Sequence, residues 1–174
     1  FLGVLMALLT SFEVSAQWTP AQLSSDRCNM AATTVGNKAF FAGGTGTDYL
    51  KSRTTVDIYD NSTNTWSIAN LSTARSELVA ASAGTKGFFA GGYTGSHNSN
   101  VVDIYDSRTN SWTQSKLSEA RRQLCATSAG SKVFFAGGRK SGDTETSDVV
   151  DIYDTSTNTW STQKLSKPRY WLAA

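Results

Sequence analysis

One sequence unit recurs three times along this chain, and this repeat constrains the fold more than any other feature. Each copy carries a double glycine, the stretch VDIYD and a tryptophan, and an arginine opens the next copy. The tryptophans are spaced by 48, 46 and 48 residues, and the arginines repeat that spacing. The two series are Trp18, Trp66, Trp112 and Trp160, and Arg27, Arg75, Arg121 and Arg169. Self-similarity at this period indicates a repeat architecture in which each unit packs against its neighbours.

The second copy illustrates the strands that are predicted for every unit. A first strand is expected over residues 77–83, and glycines at both ends of residues 84–87 favour a tight hairpin there. A second strand, residues 88–92, has no polar alternation, so we expect it to be covered on both faces, with glycines that let another backbone approach. A third strand spans residues 102–105, and a fourth contains Trp112. No stretch has helical periodicity, so the predicted fold class is all-β.

Aspartates and arginines recur in every unit, and their repetition favours a structural role. The turn from Asp106 to Asn110 illustrates one such role, because Asp accepts backbone N–H groups and Asn tolerates the left-handed conformation. Paired aspartates could also bind calcium or act as acid and base, but a pair that is present in every copy is interpreted as structural. We likewise interpret the repeat arginines as donors that join units rather than as a phosphate clamp. The aspartate pairs are Asp57/Asp60, Asp103/Asp106 and Asp151/Asp154.

The double glycine, the tyrosine and the tryptophan seven residues later resemble the kelch repeat. Gly91, Gly92, Tyr105 and Trp112 show this pattern, and the likeness covers nearly everything after Gln17. The Gly-His and Trp-Asp signatures of WD repeats are absent. The resemblance implies a kelch-type β-propeller of four-stranded antiparallel blades, with the first strand of each blade beside a central channel and the tryptophan strand outermost. Three complete blades plus partial ones are expected, in repeat units of about residues 27–74, 75–120 and 121–168, within a domain over residues 17–174 that is truncated at its carboxyl end.

The amino-terminal residues predict a different kind of segment. Residues 1–9 are almost wholly apolar but too short to span a bilayer, and Val14-Ser15-Ala16 suits signal peptidase. We therefore predict a signal peptide over residues 1–16, a secreted or periplasmic location and no membrane span in the mature segment.

Charge and cysteine content narrow the partner classes. The formal net charge of +2 is small and dispersed, which argues against a nucleic-acid surface. Cys125 occupies an apolar slot of a first strand that Ala31 and Val79 hold in the other copies, whereas Cys28 directly follows a repeat arginine. We predict both thiols to be free. No metal-ligand spacing and no cofactor motif is present, so no cofactor is expected.

Function is expected where the copies differ. The two residues after each repeat arginine vary, and the kelch arrangement places them at the mouth of the channel. The second loops, residues 45–55, 93–101 and 139–149, also diverge, and loops on a rigid scaffold commonly carry recognition. We predict a binding face for a protein or a glycan. Its candidate residues are Asn29, Glu77, Arg122, Gln123, Tyr170 and Trp171.

An enzyme remains the alternative, because galactose oxidase-like copper oxidases and sialic acid epimerases are also built on kelch propellers. An oxidase would need several ligands, whereas His97 is the one histidine in the sequence. An epimerase would need charged groups that converge on the channel, and Glu77 and Arg122 are the candidates. No nucleophile with a nearby base is recognisable, so we name no catalytic residue and favour binding over catalysis. Fold alone does not decide between them.

Overall fold

Residues 22–47, 51–140 and 145–173 are described by a computed structural model, and their regular secondary structure consists of β-strands. The predicted signal peptide lies outside these residues. The strands are β1 Ala31–Val35, β2 Lys38–Ala42, β3 Thr55–Asp60, β4 Thr65–Asn70, β5 Val79–Ala83, β6 Lys86–Ala90, β7 Val101–Asp106, β8 Ser111–Lys116, β9 Cys125–Ala129, β10 Lys132–Ala136, β11 Val149–Asp154 and β12 Thr159–Lys164. In the described part of the chain, no helix is long and apolar enough to cross a membrane.

The strands form three four-stranded antiparallel sheets, one for each copy of the repeat. Blade 1 contains β1 to β4, blade 2 contains β5 to β8 and blade 3 contains β9 to β12, each in sequence order. The first strands pack side by side, β1 with β5 and β5 with β9, so they form the inner wall. The predicted all-β class and the four-stranded blade are confirmed.

The predicted limits of the first strand are wrong at its start. The expectation was residues 77–83, whereas β5 begins at Val79. Glu77 has φ 52°, a left-handed conformation that does not continue into a β-strand. The third strand extends one residue further than predicted at each end, to Val101–Asp106.

The predicted second strand is displaced by two residues. It was expected over residues 88–92, but β6 spans Lys86–Ala90 because the hairpin turn needs only two residues, Gly84 and Thr85. The double glycine therefore follows the strand. A Cβ on Gly91 would lie 2.6 Å from the carbonyl oxygen of Arg121, so the predicted close approach of another backbone is confirmed.

The second strand is covered on both faces, as its unbroken apolar sequence predicts. Phe89 packs in a cluster with Phe40 of blade 1, and their ring centroids are 5.9 Å apart. Phe88 points the other way and lies 6.2 Å from the ring of Phe135 of blade 3. Both Phe88 and Phe89 are fully buried, so β6 lies at the centre of a layered core.

The repeat arginines join neighbouring blades. Arg75 is fully buried, and its guanidinium donates to the carbonyls of Gly91 at 2.8 Å and Val101 at 2.7 Å and to the carboxylate of Asp103. The other oxygen of Asp103 accepts a hydrogen bond from the backbone N–H of Ser72, which follows blade 1. Burial lowers the pKa of Arg75, and the negative charge of Asp103 opposes this shift. The pairs Arg27–Asp57 and Arg121–Asp151 repeat the arrangement, which confirms the structural interpretation for these three arginines. The side chain of Arg169 is exposed and forms no such pair within the described residues.

The turns between the third and fourth strands also have the predicted chemistry. Asp106 accepts the backbone N–H of Arg108 at 2.9 Å, and Asn110 has φ 52°. The hydroxyl of Tyr105 donates to Oδ1 of Asn110 at 2.8 Å, which ties the repeat tyrosine to the turn. Both cysteines, Cys28 and Cys125, are free, as predicted, and both are half-buried.

Candidate functional site

Four equivalent residues form a hydrogen-bonded arc along the mouth of the channel. The backbone N–H of Glu77 donates to the carbonyl of Asn29 at 3.0 Å, Gln123 donates to Glu77 at 3.2 Å, and Trp171 donates to Gln123 at 3.0 Å. We call Asn29, Glu77, Gln123 and Trp171 the mouth arc. It brings together four of the six site residues that the sequence predicts, one from each of the three copies of the repeat and Trp171 from the segment that follows the third copy.

Every residue of the mouth arc is left-handed, with φ between 52° and 55°. This conformation costs a non-glycine residue about 1–2 kcal/mol. It occurs at the corner where the chain leaves the repeat arginine and enters the first strand, and it turns the N–H groups of Glu77, Gln123 and Trp171 toward the preceding blade. The bond between blades offsets part of the cost. Because the backbone makes this bond, the side chains of the arc are left to vary between copies.

Charged and aromatic side chains stack beside the arc. Nε of Arg122 lies 3.7 Å from Oε2 of Glu77, and its guanidinium lies over the ring of Tyr93, 4.7 Å from the centroid. The guanidinium of Arg139 lies over the ring of Tyr170 at the same distance. Such stacking holds a cation in a fixed place without neutralising it.

The aromatic end of the arc is exposed. Trp171 is 73% exposed, and its ring centroid lies 5.5 Å from that of Tyr170. Large exposed aromatic side chains are typical anchors of binding surfaces. Tyr170 and Trp171 therefore offer an apolar contact area at one end of an otherwise polar mouth.

A pocket of about 300 Å³ opens beside the other end of the arc, and we call it the mouth pocket. Loops of blades 1 and 2 and one side chain of blade 3 form it. Ser52 Oγ donates to the carbonyl of Tyr93 at 2.9 Å and lies 3.3 Å from Oγ of Ser76, which ties the two loops together. The polar lining includes Asn29, Thr45, Ser52, Ser76, Glu77 and Arg122.

The predicted site residues thus separate into two groups. Asn29, Glu77 and Arg122 line the mouth pocket, whereas Gln123 continues the arc and Tyr170 and Trp171 lie at its aromatic end. The prediction did not name Thr45, Ser52, Ser76 and Tyr93. Three of these four belong to the loops that diverge between copies. Divergence between copies therefore indicated the loops but not the individual residues.

Below the arc, the wall of the channel is apolar. Leu78, Val79, Leu124 and Cys125 line a cavity of about 310 Å³ that begins one residue beyond Glu77 and Gln123. Burial raises the pKa of the Cys125 thiol. A ligand at the mouth therefore meets polar groups first and apolar side chains deeper in the channel.

The metal ligands that a copper oxidase would need do not come together in the described residues. His97 lies in an exposed loop, where its Nδ1 is 2.9 Å from Oγ of Ser96. Within residues 22–47, 51–140 and 145–173, no group of three or more His, Cys, Asp and Glu side chains is placed to hold a metal ion. The acidic and basic candidates, Glu77 and Arg122, pair with each other.

Three four-stranded antiparallel blades around an inner wall of first strands define a β-propeller of the kelch type. The sequence profile of the KLHDC2/KLHL20/DRC7 Kelch-repeats domain matches residues 9–170, and the chain belongs to this kelch-repeat family. Its fold is also similar to the solved structure titled "Structure of YjhT", with a TM-score of 0.66 and 16% sequence identity. That match covers 83% of this chain and 54% of the other, so the chain spans about half the length of that protein. A search of curated proteins finds no significant match.

Proposed function

We propose that this chain is part of a secreted or extracytoplasmic binding module that recognises a protein or a glycan at the mouth of the propeller channel. The observation that carries the proposal is the mouth arc. Its backbone is held in one conformation by bonds from blade to blade, while its four side chains are an amide, a carboxylate, a second amide and an indole. A fixed frame with varied side chains is the usual construction of a recognition surface.

Binding is favoured over catalysis by the state of the charged groups. Glu77 and Arg122 form an ion pair at 3.7 Å, and the guanidinium is additionally stacked on Tyr93. A general acid or base must reach the substrate with a pKa suited to proton transfer. Groups that neutralise each other within a polar pocket are better suited to holding and orienting a ligand.

The test is a capture experiment with a variant of the arc. The full chain is immobilised and exposed to a glycan array and to a protein array, and bound ligands are compared with those of the triple variant Glu77→Ala, Gln123→Ala and Trp171→Ala. We expect the triple variant to lose capture while its thermal unfolding stays cooperative. The control replaces three residues on outer strands, Thr113→Ala, Gln114→Ala and Gln163→Ala, and should capture as the wild type does. Capture by the triple variant would place recognition outside the arc.

Export is tested separately. The proposal expects cleavage after Ala16, so that the mature chain begins at Gln17. Expression with its natural leader in a secreting host, followed by amino-terminal sequencing of the exported product, measures this directly. A product that stays inside the cell with residues 1–16 attached would contradict the secreted part of the proposal and leave the binding part to the capture experiment.

A further inference from the structure

Two asparagines of blade 1 stand in the sequon Asn-x-Ser/Thr, with a middle residue other than proline. Asn61 lies in the turn between β3 and β4, two residues before Thr63, and Asn70 ends β4, two residues before Ser72. This sequon is the acceptor of N-linked glycans in secreted proteins. The 174 residues contain no third sequon, so blade 1 differs from blades 2 and 3 in this respect.

The hydroxyl residue of each sequon belongs to the repeat, whereas the asparagine does not. Every copy has a threonine at the position of Thr63 and a serine at the position of Ser72. The residues that replace the two asparagines in blades 2 and 3 are Ser107 and Thr155, and Lys116 and Lys164. The two acceptors are therefore among the differences between copies, where function is expected.

The side chain of Asn61 lacks a contact that its counterparts make. Ser107 donates its hydroxyl to the carbonyl of Thr85 at 3.0 Å, and Thr155 makes the equivalent bond at 2.9 Å. Asn61 keeps the backbone part of this contact, from its N–H to the carbonyl of Asn37 at 2.9 Å. Its side chain is exposed and makes no hydrogen bond within the described part of the chain. A glycan on its Nδ2 therefore displaces no contact of the turn.

Asn70 is also exposed, and its hydrogen bond is compatible with a glycan. Its Oδ1 accepts from the hydroxyl of Thr54 at 2.9 Å, and the sugar is attached to the other atom of the amide, Nδ2. Both asparagines lie away from the mouth arc, Asn61 beside the β1–β2 hairpin at the opposite end of the blade and Asn70 on the outermost strand. Glycans at these positions leave the mouth open.

The outermost strand of blade 1 also lacks a protection that the other blades have. β4 is the last strand of its sheet, so its outer edge offers backbone groups with which another chain can pair. β8 and β12 each end in a lysine, a residue that discourages such pairing. β4 contains no charged residue, and its Ile68 is 63% exposed. A glycan near each end of β4 would replace the missing lysine as a barrier.

We propose that Asn61 and Asn70 carry N-linked glycans that shield β4. The inference rests on the secreted part of the proposed function and commits it to a secretory route that contains an oligosaccharyltransferase. In the transfer, Nδ2 forms a bond to the anomeric carbon of an oligosaccharide carried on a polyprenyl diphosphate. The bond from that carbon to the diphosphate oxygen breaks, the oxygen keeps the electron pair, and the amide nitrogen loses one proton to solvent.

The experiment is peptide mapping of the full chain after expression in a eukaryotic secreting host. One arm uses residues 1–16 as the leader, and the other adds a leader of the host, which brings the chain into the secretory route independently. Peptide-N-glycosidase in heavy-oxygen water converts each glycosylated asparagine to labelled aspartate, which mass spectrometry locates. We expect label at Asn61 and Asn70.

Matched variants show whether the sequon determines the label. Thr63→Ala should abolish the label at Asn61, whereas Thr63→Ser keeps the hydroxyl and should retain it. Ser72→Ala and Ser72→Thr make the same comparison at Asn70. Ser107→Asn completes the sequon in the equivalent turn of blade 2 and should add one glycan. Cooperative thermal unfolding of each secreted variant shows that the fold persists.

Sedimentation velocity measures the shielding of β4. The secreted double variant Asn61→Gln/Asn70→Gln should associate at a lower concentration than the glycosylated wild type. Asn61→Gln/Asn70→Lys should associate less than that variant, because it gives β4 the lysine that β8 and β12 have. Equal association of the wild type and both double variants would overturn the shielding.

The two arms distinguish this inference from the proposed function. Secreted protein without label at either asparagine in the host-leader arm overturns the glycan sites and leaves the export and binding proposals as they stand. If the host-leader arm is labelled but the chain with residues 1–16 as its leader stays inside the cell without label, the proposed export is wrong and this inference falls with it.

Discussion

Arg75 lies at the joint between blades 1 and 2, where its side chain holds the connecting segment against blade 2. Its side chain is buried among the carbonyls of Gly91 and Val101 and the carboxylate of Asp103. Replacing it with methionine keeps much of its volume but leaves Asp103 as a buried charge without a cation. Breaking a buried pair in this way costs about 3–5 kcal/mol. We expect Arg75→Met to lower the free energy of unfolding by that amount, measured by denaturant titration.

Arg169 provides the matched control for this change. It holds the same place in the repeat but is exposed, and its side chain makes local hydrogen bonds of 3.3 Å to the carbonyl of Lys167 and Oγ of Ser166. Substitutions at exposed positions usually change stability by no more than about 0.5 kcal/mol. Arg169→Met should stay within that limit. Equal losses for the two variants would mean that burial of the repeat arginine does not set its contribution.

Asp154 shows how a turn residue links stability to pH. Its carboxylate accepts hydrogen bonds from Lys132, Ser156 and Ser131, and the bond from Lys132 contributes most to holding the pKa of Asp154 well below its ordinary value of 3.8. Because the folded pKa lies below the unfolded one, the contribution is complete above about pH 4 and is lost as pH falls toward the folded pKa. Asp154→Asn should therefore lower the melting temperature at pH 6, and the gap from the wild type should narrow from pH 4 downward. A gap of constant size over this range would show that the stabilisation does not come from the charge.

At the scale of the strand, the joint between blades 1 and 2 and the joint between blades 2 and 3 have side chains of different size at equivalent positions. A Cβ on Gly87 of β6 would lie only 2.5 Å from Cγ2 of Val35 at the end of β1. In the next joint the equivalent positions hold Val133 and Ala83, which lie in one buried cluster. In each joint, a large side chain on one strand thus faces a small one on the other. The side-chain volumes at the two positions are therefore complementary in both joints.

This pairing predicts a coupling that a double-mutant cycle can measure. Gly87→Ala alone should destabilise by about 1–3 kcal/mol, because Val35 is buried and has no room to yield. Val35→Ala alone leaves a cavity. Together the two substitutions place a small side chain on each side of the joint. The double variant should therefore lose less free energy of unfolding than the sum of the two single losses, with a coupling of about 0.5–3 kcal/mol. Additive losses would mean that the two positions do not share one space.

The strands show which features of the fold the sequence predicts and which it does not. The sequence pattern correctly predicted four strands in each unit and burial of the second strand on both faces, because the run FFAG has no polar residue. The predicted strand limits were wrong at Glu77 and at the double glycine, where residues with positive φ end the strand pairing. Of these residues, only the glycines indicate positive φ in the sequence. Variation between copies identified Asn29, Glu77 and Arg122 as site candidates. It also covered Ser52 and Ser76 but did not single them out, because their contact joins loops of two blades that the sequence alone does not align.

At the scale of the whole molecule, the described blades end in two unlike faces that match the halves of an internal joint. Blade 1 presents Phe41, Tyr59 and Trp66, the counterparts of residues that blade 2 buries against blade 1. Blade 3 presents Phe134 and Ile152, whose counterparts in blade 2 are buried against blade 3. Each face is less covered than its internal counterpart, and Trp66 is 41% exposed. Exposed apolar area of this kind promotes association.

A preparation of the 174-residue chain should therefore associate in a concentration-dependent way. Sedimentation velocity over a wide range of concentrations measures this, and Trp66→Glu should weaken the association about tenfold or more, since an aromatic anchor at an interface contributes about 2 kcal/mol. Trp171→Glu is the control, because Trp171 is more exposed but lies at the mouth and not on a blade face. Equal effects of the two variants would indicate that exposed indoles promote association non-specifically. A selective effect of Trp66→Glu would show that the chain associates through the same aromatic surface that its own blades use to pack on one another.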